Sequence, residues 1–335
     1  MSEPPAHRPR SRRPLYAVTA ALLAMALAVG AWFLLGRERP ADCDALVKDD
    51  RVESALGSHH SADMSCADLG AAVKAATIGG KAAPHTRTQA DSMKKILLAV
   101  NDSLVHGDRT LAADLRLPLA ESLADYAQDT QEILDGTNSE YTRWASPESV
   151  AWQDETGYHF SVLRGELVRV LRGASEEPAA YAILRDAQTR WGAAQLGSLT
   201  EKATGDALEG AAVTNSAALG GYDAIAADVV RDKESSAAAQ WMDAVYAALR
   251  SPGATSSAAP RSALSDRITG KWRASLASVP AAKRADHLRE QGTAMFAAWA
   301  EAAEVGRDRA EPVEAQCRRT GQEQYAAIAQ NLRMS

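Results

Sequence analysis

Two short runs hold side chains able to do chemistry. Asp154, Glu155 and His159 put two carboxylates and an imidazole within six residues, the groups that general acid–base catalysis uses. His59, His60, Asp63 and Cys66 gather imidazoles, a carboxylate and a thiol within eight residues, all donors that zinc accepts. Neither spacing matches an established site, and solvated turns are the plainer expectation for both. The chain contains no HExxH, P-loop, GxSxG or dinucleotide fingerprint. No catalytic, cofactor-binding or metal-binding residue is therefore expected, and an enzyme is the lesser reading.

The three cysteines are Cys43, Cys66 and Cys317. Outside the cytoplasm a disulfide is the default, and an odd count leaves one thiol over. Cys43 and Cys66 flank a short helical stretch and a loop, so their pairing is favoured over a bridge to Cys317. Closing a loop of this size contributes roughly 3 kcal/mol by chain entropy. Cys317 stands beside Arg318 and Arg319, which would favour a reactive thiolate; a half-buried free thiol is the blander expectation. Asn101-Asp102-Ser103 matches a glycosylation sequon but falls inside an expected helix.

Recognition chemistry concentrates between Tyr141 and Phe160. Tyr141, Trp144, Trp152, Tyr158 and Phe160 are five of the 15 aromatic residues that follow residue 39. Tyr141, Trp144, Trp152 and Tyr158 form the candidate interaction loop, because Trp and Tyr on loops often anchor partners. The competing expectation is that these rings plug the end of a helical bundle. If the loop is an interface, Trp152, next to Asp154 and Glu155, is expected to be its exposed ring.

The elements that must position these groups are helical. Ala is abundant and aromatics are few, a balance that suits closely packed helices rather than sandwiches or barrels. Met93, Ile96, Leu97, Val100 and Leu104 form one helical stripe after a cap-like start at Thr88. Phe160, Leu163, Leu167, Val170 and Leu171 form another. Leu184, Ala187 and Trp191 follow Ser175-Glu176-Glu177-Pro178, with Pro in the first turn, where its missing N–H costs little. Tyr222, Ile225 and Val229, then Trp241, Val245 and Leu249, extend the pattern, as do Leu288, Met295, Trp299, Tyr325, Ile328 and Leu332. No segment shows persuasive period-2 alternation, so an all-α domain is expected. Breaks fall at 79–84, 136–158 and 251–260.

Residues 15–36 run for 22 positions without a charge. As a helix they would span roughly 33 Å, enough for a hydrocarbon core of about 30 Å. Arg8, Arg10, Arg12 and Arg13 precede the run and only Arg37 and Arg39 follow it closely, which favours a cytoplasmic N-terminus. Residues 1–39 hold six Arg against two Glu, net +4, and the remainder holds 31 basic against 41 acidic residues, net −10. That balance leaves no basic surface for nucleic acid. An uncleaved anchor is favoured over a signal peptide, although Ala26-Leu27-Ala28 and Val29-Gly30-Ala31 would serve as cleavage sites.

Glu177-Pro178-Ala179-Ala180-Tyr181-Ala182-Ile183-Leu184-Arg185-Asp186-Ala187-Gln188, and the stretch from Gly210-Ala211-Ala212-Val213 through Ala226-Ala227-Asp228, resemble a helical domain of uncharacterised actinobacterial proteins associated with WXG-type secretion. The resemblance covers about residues 160–250. This chain departs from it by its N-terminal apolar run and by having Trp191 and Gly192 adjacent rather than in a Trp-x-Gly turn. What the resemblance implies is an envelope or secretion setting, with no catalytic residues.

The expected organisation is a cytoplasmic basic tail (1–14), a transmembrane helix (15–36), an extracytoplasmic helical domain (40–250), a linker (251–260) and C-terminal helices packing on the body (261–335). Residues 15–36 would contact the lipid bilayer, and the domain would work through an envelope protein partner. The alternative is an exported effector or enzyme, released or displayed at the surface.

Overall fold

The computed structural model describes residues 43–79, 84–106, 110–199, 203, 206–251 and 259–334. Residues 15–36 lie outside that set, as does most of the expected linker. No described helix is long and apolar enough to cross a membrane.

The chain opens with α1 (Cys43–Val47), α2 (Asp50–Leu56), α3 (Cys66–Thr77) and α4 (Arg87–His106). Next come α5 (Ala113–Asp125), α6 (Ala127–Asp135) and α7 (Ser139–Arg143), then a hairpin of β1 (Trp152–Asp154) and β2 (Gly157–His159). Beyond it lie α8 (Arg164–Ala174), α9 (Pro178–Gly197), α10 (Asp206–Arg231) and α11 (Ser235–Arg250). The C-terminal set is α12 (Ala263–Ser275), α13 (Arg284–Arg289), α14 (Gln291–Ala302) and α15 (Arg307–Met334). The described fold is all-α apart from that hairpin.

Local chemistry sets the helix starts. Ser65 accepts from the Asp68 N–H while Asp68 bonds back to the Ser65 N–H, a capping box that opens α3. The box that opens α4 is formed by Thr86 and Gln89 rather than starting at Thr88. Pro178 sits in the first turn of α9 behind the Glu177 cap. Leu163, expected to face inward, is 54% exposed because it precedes α8 as its N-cap, where the chain is still extended.

Residues 41–335 form one compact unit. Its larger apolar core joins α1–α6 to α8, α9, α10 and α11, with Trp272, Leu288 and Ile328 contributed from the C-terminal helices. A second core gathers Met295, Phe296 and Trp299 of α14 with Leu196, Leu219, Ile268 and Cys317. α10 runs along α15, its most extensive partner, and also packs on α6, α9 and α14. Small residues permit that approach. A methyl group at Gly220 would fall inside the Gly321 carbonyl, and one at Gly292 would strike Ser216. Alanine-rich helices gain contact area by coming close rather than by interlocking large side chains.

Candidate functional site

The segment between α6 and α8 carries the interaction residues expected from sequence, and it is held at several points. α6 ends at Gly136, whose φ of 72° lets its N–H bond back to the Glu132 carbonyl. Asn138 then caps α7 by accepting from the Glu140 N–H at 3.0 Å. The hairpin pairs Trp152 with His159 and Asp154 with Gly157. Gly157 takes a φ of 140° at the turn, and Asp154 accepts the Thr156 N–H at 2.7 Å. Two three-residue strands are too short for alternation to reveal, and they are a local exception within the all-α fold expected from sequence.

Lys94 of α4 fixes the preceding stretch. It is 2% exposed, and its ammonium donates to the carbonyls of Trp144 (2.9 Å), Ser146 (2.6 Å) and Ser149 (2.9 Å) and to the Ser149 hydroxyl (2.7 Å). Burial lowers its pKa, against the opposing pull of Asp91, Glu166 and Glu148. Asp91, also on α4, accepts the Ala151 N–H at 2.5 Å. The loop backbone is thus fixed by side chains reaching out from a helix.

His159 is the centre of the second tie. Its Nδ1 lies 2.6 Å from Asp129 Oδ1 and its Nε2 lies 2.9 Å from Asp154 Oδ1. Asp129 also accepts the Tyr141 hydroxyl at 2.7 Å and the Phe160 N–H at 3.1 Å. Burial alone would depress the imidazole pKa, but the hydrogen bonds and charges of the two carboxylates outweigh it and raise the pKa to about 9. At neutral pH the ring is an imidazolium donating from both nitrogens. Thr156 Oγ1 stands 3.1 Å from Nε2, which outlines a hydroxyl–imidazole–carboxylate arrangement. Asp154, however, accepts that hydroxyl proton at 2.7 Å and keeps Nε2 protonated. His159 therefore offers no lone pair to a substrate and clamps the hairpin to α6. Of the acid–base trio His159 is buried, Asp154 half-buried and Glu155 exposed, so the expected solvated turn is instead tied to α6 through a buried imidazole.

The four candidate rings part company. Tyr141 is 3% exposed, in edge contact with Trp152 at 5.1 Å between centroids. Trp152 is half-buried, with its ring 4.6 Å from that of His159. Tyr158 is half-buried against the larger core. Trp144 is also half-buried, but its indole N–H goes to Glu140 at 3.2 Å and the Arg143 guanidinium lies over its ring at 5.4 Å. Trp152 thus belongs to the inner cluster, contrary to the expectation that it is the exposed ring, and Trp144 has the more polar surroundings.

Cys43 and Cys66 form a disulfide with a Cα–Cα distance of 5.7 Å. Cys66 is thereby unavailable to zinc, and His60 Nε2 lies 2.8 Å from the Val47 carbonyl. Among the described residues no group of three His, Cys, Asp or Glu is placed to hold a metal. Cys317 is 1% exposed, more deeply placed than a half-buried thiol. Burial pushes its pKa up despite the neighbouring Arg318. Asn101 is 4% exposed, with its side-chain oxygen accepting from Arg169 at 2.7 Å.

Sequence reasoning also missed a third buried cation, after Lys94 and His159. Arg185 of α9 has no exposed surface. It donates to Asp223 (2.7 Å), the Tyr181 hydroxyl (2.7 Å), Gln291 (2.8 Å) and the Leu288 carbonyl (2.7 Å). It therefore joins α9 to α10, α13 and α14. Further along α9, Gln188 bonds Gln131 at 2.6 Å, while Gln291 reaches Thr189 at 2.6 Å. The signal was present in the spacing: Tyr181, Arg185, Gln188 and Gly192 lie on one face of α9. No family model, curated protein or solved structure matches this chain.

Proposed function

We propose that this chain is a single-pass membrane protein whose helical domain works outside the cytoplasm, at the cell envelope, by binding a protein partner. Residues 15–36 are the anchor and residues 1–14 the cytoplasmic tail. The observation that carries the compartment is the Cys43–Cys66 disulfide, a bond that persists in oxidising surroundings and is rare in the cytosol. The resemblance of residues 160–250 to secretion-associated actinobacterial proteins supports an envelope setting.

The partner surface is the outer side of the loop between α6 and α8. Arg143, Ser146, Pro147, Glu148 and Val150 are exposed there around Trp144. Lys94 and Asp91 hold its backbone in place, so binding would cost little ordering entropy. Tyr141, Trp152 and Tyr158 support this surface from within.

A reporter active only outside the cytoplasm, fused after Ser335, tests the topology. Activity is expected, and a silent fusion beside an active cytoplasmic reporter would reverse the orientation. Capture from membranes with the wild-type chain and with Trp144→Ala tests the surface. The runner-up is an exported product cut at Ala26-Leu27-Ala28 or Val29-Gly30-Ala31. It would appear in culture fluid with a new N-terminus just past one of these sites.

A further inference from the structure

We infer that a cleft between α10, α13 and α15 binds a free basic α-amino acid through Asp223, Arg289 and Arg318. The inference is independent of the membrane reading. The cleft has a volume of about 510 Å³ and is lined by Asp223, Asp286, Arg289, Glu290, Arg318 and Tyr325, among others. That lies within the range of small-molecule sites.

Asp223 is the reason to expect a ligand. It is 7% exposed, and its Oδ1 accepts from Arg185 at 2.7 Å. Its Oδ2 takes no hydrogen bond from the described residues, and the side chain lines the cleft. A buried carboxylate is stable when both oxygens have donors. Here Arg185 supplies one side from within and the other side is left to whatever enters. A ligand ammonium is the strongest donor for that place. Burial raises the pKa of Asp223 while Arg185 and Arg289 oppose the rise, so an incoming cation would also favour its ionised form.

The cleft also has the complementary charge. Arg289 and Arg318 are about half exposed and loosely paired, Arg289 with Asp286 at 3.1 Å and Arg318 with Glu290 at 3.5 Å. Exposed pairs of this kind contribute little and re-form readily around a better partner. A ligand carboxylate would recruit both guanidinium groups. Arg289 is close enough to influence Asp223, so the cationic and anionic subsites adjoin, as ammonium and carboxylate do in an α-amino acid. Asp223, Asp286 and Glu290 face Arg185, Arg289 and Arg318, so the cleft is charge-balanced before a ligand enters and a positive side chain is selected by an aromatic face rather than by net charge. The ring of Tyr325, already 5.7 Å from the Arg289 guanidinium, offers a face suited to that cation.

Titration calorimetry on the detergent-solubilised full chain, with L-lysine as the probe, tests this directly. Saturable binding is expected in the micromolar to millimolar range. Nα-acetyl-L-lysine and L-lysine amide, each lacking one of the two backbone charges, should bind about tenfold more weakly or worse. Arg318→Gln, at an exposed position, should weaken L-lysine about fivefold or more with an unchanged melting temperature. Asp223→Asn should abolish binding, and Arg318→Gln keeps the test decisive if that variant fails to fold. No heat at millimolar L-lysine, equal binding of the acetylated probe, or unaltered affinity in folded Arg318→Gln would each overturn the inference.

Discussion

His159 and Arg185 are both cations buried against carboxylates, and their surroundings differ in what they leave unfinished. Around His159 the circle is closed: both ring nitrogens face carboxylates, and both oxygens of Asp129 are taken, by His159 and Tyr141 on one side and the Phe160 N–H on the other. Around Arg185 the guanidinium is satisfied, while Asp223 accepts from it through Oδ1 alone and its side chain lines the cleft. The first cation can lose its proton within an accessible pH range and the second cannot. A completed buried charge fixes the position of a loop. A half-completed one fixes helices and leaves a place for a ligand.

Breaking the Arg185 centre should have the largest effect. Arg185→Met leaves Asp223 buried without its cation and strands Gln291 and the Leu288 carbonyl. A loss of about 3–5 kcal/mol is expected in denaturant titration. A loss below about 1 kcal/mol would mean that water or a neighbour completes the centre without Arg185.

Asp129→Ala removes the shared acceptor of His159, Tyr141 and the Phe160 N–H, and should cost about 3 kcal/mol. The damage should be local, so amide exchange ought to rise first in the hairpin and at the end of α6, with α14 and α15 still protected. Uniform loss of protection would erase the proposed separation between loop lock and helical body.

The pH response isolates the His159 side of the comparison. Its pKa is about 9 in the folded chain against an ordinary 6.5, so the folded state holds the proton more tightly. Its stabilising contribution is complete below pH 6.5 and disappears as pH rises through 9. The expected decline is roughly 3 kcal/mol at most. His159→Gln should flatten that slope, whereas Arg185→Met should leave it in place. An unchanged slope in His159→Gln would assign the titration elsewhere.

The two loop tryptophans give the smallest contrast. Trp152→Ala should cost about 2 kcal/mol, because the ring packs on Tyr141 and His159. Trp144→Ala should cost under about 1 kcal/mol and instead weaken partner capture. Equal destabilisation by both would return the whole loop to the core.

What could be read beforehand follows the reach of each interaction. Met93, Ile96, Leu97, Val100 and Leu104 are all buried along α4, since a helical stripe is encoded within its own residues. Cys43 and Cys66 were close enough in sequence for pairing to be the simplest choice. His159, by contrast, sits on β2 and depends on Asp129, 30 positions away on α6. The available hint was a carboxylate on the buried face that α6 shares with Thr130 and Ile133. Arg185 was obscured because an arginine in a helix reads as solvated unless its partners are known, and those partners lie on α10, α13 and α14. The hairpin was hidden by brevity: three residues per strand carry too little period to register.

The disulfide also determines how a pull would travel. Cys43 is the first described residue, and its bond joins it to the N-terminus of α3. Tension applied through the preceding chain therefore enters α3 directly and bypasses α1 and α2, which lie inside the covalent ring. Without that bond the same tension would strip α1 and then α2 from the domain one turn at a time. With it, the domain must resist as a body, at the packed faces of α3 against α4 and α5. For a domain tethered at its N-terminal end, the bridge turns peeling into shear.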